Sequence, residues 1–269
     1  MSGPGLLYVY AVLDARAGAP DLTGVEGAGG PGPTVLGDGV LAAVVEPVDA
    51  ALFEEEALRR RLEDLAWLSW LARAHHRVVA AAGDARTAVP LRLATVCRGE
   101  AGVRGLLLDG RDRLQAALAR LEGSEEWGVK LYAAATRPGA PAPDGQPGTD
   151  APSGDERPGR DYLRRRLGER RRQQDHIAVA AAIAREVHDR LAARSAGAVL
   201  HPAQRPQLSG TSDAHVLNAA YLVRRNERAR FLDGVPAAGD LGGGMRVELT
   251  GPWVPYSFTR LGDEPGGRR

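Results

Sequence analysis

The sequence is nearly devoid of cysteine and lysine. Its 269 residues include one cysteine, Cys97, and one lysine, Lys130. A single cysteine excludes an intramolecular disulfide and any zinc site built from several cysteines. We therefore expect a protein of a reducing compartment, in which Cys97 is a small, partly buried side chain.

The sequence also lacks a large net charge and a long apolar run. Its 35 basic residues nearly cancel its 34 acidic residues, which leaves no strong field to attract nucleic acid or an anionic membrane. The N-terminus has no secretory signal, and no stretch reaches the roughly 18 apolar residues of a membrane helix. The sequence predicts a cytoplasmic protein that binds neither nucleic acid nor membrane.

The common catalytic and cofactor motifs are missing. His75 and His76 are adjacent on a predicted helix and point about 100° apart, so they cannot form the usual i, i+4 metal-binding pair. The glycine-rich stretches at 27–32 and 242–244 lack the Gly-Lys-Ser/Thr of a P-loop and are interpreted as turns or mobile loops. We expect no catalytic residue, no cofactor, no metal ion and no enzymatic activity.

Two arginine triplets, at 164–166 and 170–172, form the densest basic cluster of the sequence. On a helix they would cover much of the polar surface, which could bind a phosphate-rich ligand or an acidic partner. No aromatic residues are interleaved with them as in a nucleic-acid site. A solvated helix face is the favoured interpretation, and a partner surface is the best functional one.

The first half of the chain has the pattern of an α+β domain. Residues 6–13 are apolar on both alternating faces, which predicts a central strand covered on both sides. Gly37-Asp38-Gly39 predicts a tight turn, so residues 34–36 and 40–45 should pair antiparallel. The remaining segments predict one or two helices over 51–82, a short extended piece over 88–97 and an amphipathic helix over 103–121. We assign residues 1–124 to an N-terminal domain with a small antiparallel sheet.

The second half has the element order of a ferredoxin-like domain. The predicted elements are a strand at 127–134, a long helix at 161–195 with Asp161 as its N-cap, strands at 198–201 and 214–223, a helix at 225–232 and a strand at 245–249. This succession is β-α-β-β-α-β. Residues 136–160 are crowded with Pro, Gly, Ser and Asp and are expected to form a flexible insertion. We assign residues 125–269 to this C-terminal domain, with 259–269 as a tail.

Several sequence strings resemble the GvpF/GvpL family of gas vesicle proteins. The most specific is ELTGPWVPYSF at 248–258, and EWGVKLY at 126–132 and GRDYL at 159–163 support it, as do YVYAV, AHHRVV and VPLRLATV earlier in the chain. The resemblance runs in order from Leu6 to Phe258. It implies two domains, a modified ferredoxin-like fold in the second, and no enzymatic activity.

The resemblance also implies a function in building gas vesicles. Such a protein would be an assembly factor or minor structural component that binds the hydrophobic shell protein, with other accessory gas vesicle proteins as further partners, in the cytoplasm and associated with the vesicles. The alternative is a small-molecule-binding or catalytic ferredoxin-like domain, which would need a deep polar pocket.

Twelve residues carry the resemblance and are the candidates for partner contact: Trp127, Lys130, Tyr132, Asp161, Tyr162, Glu248, Gly251, Pro252, Trp253, Pro255, Tyr256 and Phe258. Pro252 and Pro255 fix φ and are expected to end the last strand. The nearby aromatic side chains either close the C-terminal core or contact the shell protein directly.

Overall fold

A computed structural model describes residues 5–84, 86–134, 158–202, 214–237, 239–241 and 244–259. The described part is a mixed α and β structure with two antiparallel sheets. Its strands and helices in chain order are β1 (Leu6–Asp14), β2 (Thr34–Gly37), β3 (Leu41–Val48), α1 (Ala50–Phe53), α2 (Glu55–Arg61), α3 (Leu65–Gly83), β4 (Ala88–Pro90), β5 (Val96–Arg98), α4 (Gly99–Asp109), α5 (Arg111–Leu121), β6 (Ser124–Ala133), α6 (Pro158–Ala192), β7 (Gly197–Leu200), β8 (Ala214–Arg224), α7 (Arg228–Leu232) and β9 (Met245–Trp253).

The first sheet is built around β1. Its order is β2-β3-β1-β4, and β5 pairs with the same edge of β1 as β4 does. Tyr8 and Tyr10 pack towards α3 on one face, whereas Val9 packs towards α4 and α5 on the other. The sequence prediction of a central strand buried on both faces is confirmed, and so is the antiparallel pairing across Gly37-Asp38-Gly39.

The region predicted as one or two helices contains three. Aspartate and glutamate residues divide it, because each helix starts after an acidic residue in extended conformation. Asp64 accepts hydrogen bonds from the backbone N–H groups of Ala66 and Trp67 at 2.9 and 3.2 Å, which caps α3. Such capping offsets the unpaired donors of the first turn.

The second sheet has the order β7-β8-β6-β9, with all neighbours antiparallel. With α6 between β6 and β7 and α7 between β8 and β9, this is the predicted ferredoxin-like succession. Helix α6 covers one face through Ala180, Ala184, Val187 and Leu191, which are all buried. On the opposite face of this sheet, Leu222 packs in the cluster between β1 and helices α4 and α5.

Three predicted boundaries in the second half are wrong. Helix α6 begins at Pro158, so Asp161 is inside the helix instead of capping it, and residues 158–160 belong to the helix instead of the insertion. Proline favours the first turn of a helix, because its missing N–H has no partner there. The rest of the insertion, and the tail after Thr259, lie outside the described residues.

The third boundary is the end of β9, which runs to Trp253 instead of Leu249. Pairing with β6 is interrupted between Gly128 and Glu126, and it resumes where Trp253 pairs with Glu126. This irregularity places Gly251 and Pro252 in a bulge, so Pro252 does not end the strand as the sequence suggested.

Among the described helices, none is long and apolar enough to cross a membrane.

Candidate functional site

The end of β9 directs the chain from the second sheet towards the first. Gly251 has a φ of 128°, and a Cβ atom there would lie 2.8 Å from the backbone oxygen of Glu126. Glycine is therefore the residue that this bulge requires. The peptide bond between Gly251 and Pro252 is cis. Residues 254–258, which we call the crossing segment, then run across the junction between the two halves.

The side chains of the crossing segment pack mainly against the first half. Val254 lies so close to Gly83 of α3 that a Cβ atom on Gly83 would be 2.7 Å from Val254 Cγ2. Tyr256 packs with the cluster that contains Tyr8 and Phe53. Phe258 packs with the cluster between β1 and helices α4 and α5. The crossing segment thus completes two cores that belong to the first sheet.

Polar contacts hold the crossing segment to the second sheet. Glu126, which is buried on β6, accepts hydrogen bonds from the Ser257 N–H at 2.8 Å and the Ser257 hydroxyl at 2.7 Å. Burial raises the pKa of Glu126, and the two bonds from Ser257 offset only part of that effect. The guanidinium of Arg120 on α5 donates to the backbone oxygen of Phe258. The segment is therefore fixed from both sides of the junction.

An open cleft of about 350 Å³ lies beside the crossing segment. One wall comes from the strings of the family resemblance, Pro252, Trp253 and Pro255, and the other walls come from the end of α3, the end of α5 and the start of β6. Trp253 is 41% exposed at this cleft. Its ring makes an edge contact with the ring of His76, with the centroids 5.1 Å apart. A large aromatic surface is thus held in place and still accessible.

A bidentate ion pair between Arg228 and Glu125 forms the polar side of the cleft. Arg228 donates from Nε and Nη2 to the carboxylate oxygens of Glu125 at 2.7 and 2.5 Å. The indole N–H of Trp127 also donates to Glu125, at 2.8 Å. Burial acts to raise the pKa of Glu125, but the hydrogen bonds from Arg228 and Trp127 outweigh it, so the pKa is lowered. The carboxylate is therefore ionised and already paired, which makes it unsuited to proton transfer at neutral pH.

His75 lies behind the cleft in a cluster of aromatic rings. The Tyr8 hydroxyl oxygen accepts from the Ala94 N–H at 2.9 Å and lies 3.0 Å from His75 Nδ1. The Tyr8 hydroxyl group and His75 Nδ1 therefore share one hydrogen bond, and the tautomer of the imidazole sets which of them donates. Burial, with the neighbouring His76 as a smaller cause, lowers the pKa of His75 to about 4. His75 is thus a neutral core residue at physiological pH.

A second group of the candidate residues lies further along the open face of the second sheet. Lys130 Nζ is 3.6 Å from a carboxylate oxygen of Glu248 on the neighbouring strand. Tyr132 stacks on His215 with the centroids 4.9 Å apart, and the guanidinium carbon of Arg246 lies 4.2 Å from the centre of the Tyr132 ring. These contacts tie β6, β8 and β9 together and do not extend to the cleft.

The structure therefore divides the candidates into separate groups. Pro252, Trp253 and Pro255 line the cleft, and Gly251 lies in the bulge just before them. Trp127 packs in the core of the second sheet, whereas Tyr256 and Phe258 pack into the first half. The side chains of Asp161 and Tyr162 lie outside the described part of the chain. Sequence reasoning missed Glu125, Arg228 and Ser257, whose partners are more than 100 residues away, so no local pattern could have revealed them.

Comparisons with known proteins agree on one family. A family model described as "Gas vesicle synthesis protein GvpL/GvpF" matches residues 6–260. The chain is 46% identical over 265 residues to "Gas vesicle protein L" of a Streptomyces strain, which covers 98% of this chain and 96% of the relative.

Two solved structures share the fold. GvpF from Anabaena has a TM-score of 0.62 at 17% identity and covers 96% of this chain and 98% of its own. GvpF from Microcystis aeruginosa has a TM-score of 0.56 at 18% identity and covers 95% and 99%. At these identities the structural likeness establishes the fold alone.

Proposed function

Because this chain belongs to the gas vesicle synthesis protein GvpL/GvpF family, we propose that it binds the hydrophobic shell protein while gas vesicles form. It would act there as an assembly factor or as a minor structural component. The family is one of gas vesicle proteins and is not known for enzymatic activity. The observation that carries the proposal is the exposed ring of Trp253 beside a cleft that is walled by the family-like string at 248–258.

The chemistry of the cleft suits an apolar polypeptide. A protein that polymerises through apolar surfaces needs them shielded until it is incorporated. Tryptophan contributes a large contact area at little entropic cost and is enriched at the energetic centres of interfaces. Pro252 and Pro255 hold Trp253 between two restricted backbone positions. The binding partner would therefore meet a surface that is already ordered.

Three further parts of the proposal concern location, partners and domains. We propose that the protein acts in the cytoplasm at growing vesicles, and that other accessory gas vesicle proteins are additional partners. We also propose a domain boundary at residues 124 and 125, because β6 opens the second sheet at Ser124. In this proposal, the crossing segment attaches the second domain to the first.

Substitution of Trp253 with alanine tests the binding site. Since Trp253 is 41% exposed, its loss should leave the fold intact and weaken co-purification of the shell protein by about tenfold or more, as expected for an aromatic anchor. Trp70 on α3 provides a matched control, because it is 36% exposed and is absent from the cleft lining. Co-expression with the shell protein, followed by affinity purification and quantification of the retained shell protein, measures both variants.

The two variants distinguish binding at the cleft from non-specific binding through any exposed aromatic side chain. Retention by W70A at the wild-type level, together with loss in W253A, supports the cleft. Full retention by W253A, or an equal loss in W70A, would place the contact elsewhere.

A further inference from the structure

Helix α6 packs along only part of its length. Its 35 residues span about 52 Å at the rise of an α-helix. The side chains that are buried against the second sheet begin at Ala180 and continue to Leu191. Of the side chains described between Arg166 and Val179, none is buried. We call residues 160–179 the α6 arm.

The α6 arm concentrates positive charge in a chain that is otherwise slightly acidic. Residues 160–175 contain seven arginines and three acidic residues, a formal charge of +4. The whole chain has a formal charge of +1, which leaves −3 for the other residues. Arg170 and Arg171 are exposed, and neither has an ion-pair partner among the side chains that the structure describes. The densest cluster of basic residues in the sequence therefore lies on this helix.

Apolar side chains are interleaved with the arginines. Leu167, Ile177 and Val179 are 59%, 47% and 58% exposed. Leu167 and Arg171 are four residues apart, so they lie on the same side of the helix. Tyr162 is the one Phe, Trp or Tyr residue in the sequence of the α6 arm, whereas single-stranded nucleic acid is bound on several aromatic side chains in succession. A helix of this composition fits a protein groove better than a polynucleotide.

We propose that the α6 arm is a second docking surface, which binds an acidic and partly apolar face of a partner protein. Carboxylates on the partner would pair with Arg170 and Arg171, and an apolar strip would cover Leu167 and Ile177. Helices commonly bind in this way, through one face laid into a groove. The charge pairs supply attraction at a distance and set the orientation. This surface is separate from the cleft beside Trp253 and does not depend on it.

Fluorescence titration of the purified full-length chain with three labelled probes tests the α6 arm. The probes are a helical peptide with one glutamate face and one leucine face, poly-L-glutamate of the same charge, and a single-stranded oligonucleotide of the same charge. We expect the amphipathic peptide to bind most tightly and its binding to weaken as salt is raised. The double substitution R170E/R171E should lower its affinity by about tenfold or more.

Two further double variants separate the effect of net charge and the effect of apolar contact on the binding affinity. R59E/R60E reverses two exposed arginines of α2 and should change the affinity by less than about twofold, because it changes the net charge of the chain equally but leaves the α6 arm intact. L167S/I177S should weaken the amphipathic peptide by about tenfold and leave poly-L-glutamate unaffected, because only the apolar contact is removed. Circular dichroism of each variant confirms the fold.

Two results would overturn the proposal. An equal loss of binding in R59E/R60E and R170E/R171E would reduce the effect to the net charge of the chain. Tighter binding of the oligonucleotide than of either peptide, abolished by R170E/R171E, would make the arm a nucleic-acid site.

Discussion

Replacing Glu46 with alanine is expected to lower the free energy of unfolding by about 4 kcal/mol, because four donors, two of them on buried residues, would lose this acceptor. Glu46 on β3 is fully buried, and its carboxyl group accepts from the Tyr10 hydroxyl. It also accepts from the backbone N–H groups of Gly30 and Gly32 at 3.0 and 3.2 Å. Each orphaned donor costs about 1–3 kcal/mol.

The surrounding loop is built around this carboxyl group. Ala28 N–H donates to both Glu46 and the Tyr10 hydroxyl oxygen, at 2.6 and 2.7 Å. A Cβ atom on Gly27 would lie 2.1 Å from Glu46 Oε2, so the glycines allow the backbone to approach. Burial and the hydrogen bond to Glu46 raise the pKa of Tyr10, which keeps its hydroxyl protonated as a donor.

Equilibrium unfolding in urea measures this effect. Glutamine at position 46 is the matched control, because it preserves the size of the side chain and one accepting oxygen, and we expect it to lose about half as much stability as alanine. If E46A unfolded at the wild-type midpoint, the loop would not depend on Glu46.

Removing both large rings of the crossing segment, in the variant Y256A/F258A, is expected to destabilise the chain by about 4 kcal/mol. Each ring is partly buried and should contribute about 2 kcal/mol, below the range for fully buried aromatic residues. The two losses should add, since Tyr256 and Phe258 pack in different clusters. Because these rings attach the second sheet to the first, the proposed domains should also unfold in two steps instead of one.

Thermal unfolding followed by circular dichroism resolves the two steps. Tyr256→Phe is the control: the Tyr256 hydroxyl is buried with no hydrogen-bond partner among the described residues, so its removal should be neutral or slightly stabilising. A single transition at the wild-type temperature in Y256A/F258A would show that the crossing segment contributes little to the junction.

Local patterns in the sequence predicted most of the strands and helices, although the single helix predicted over 103–121 is two helices, α4 and α5, separated at Gly110. The turn after β2, for example, is specified within a few residues, since Asp38 accepts from the N–H groups of Val40 and Leu41 at 2.9 and 2.8 Å. Alternating and helical periodicity likewise placed most elements of both sheets, because periodicity reports which face of an element is buried.

Contacts between distant segments were not predictable in this way. The glycine-rich sequence of residues 27–32 indicates turns or mobile loops, but the position of this stretch depends on Glu46, which lies on β3 and which no periodic pattern singles out. The crossing segment was recognised by its family-like string, yet nothing in that string indicates that Tyr256 and Phe258 pack against the first half. Pro158 is a local signal for the start of α6, whereas Asp161 lies inside the helix.

Photo-crosslinking during vesicle assembly tests most directly whether the cleft contacts the shell protein. A photoreactive amino acid placed at position 253, or at position 70 as the control, is activated while vesicles form, and the crosslinked products are identified by mass spectrometry. We predict a product with the shell protein from position 253 and none from position 70. A shell-protein product from position 70 alone would contradict the assignment of the cleft as the binding site.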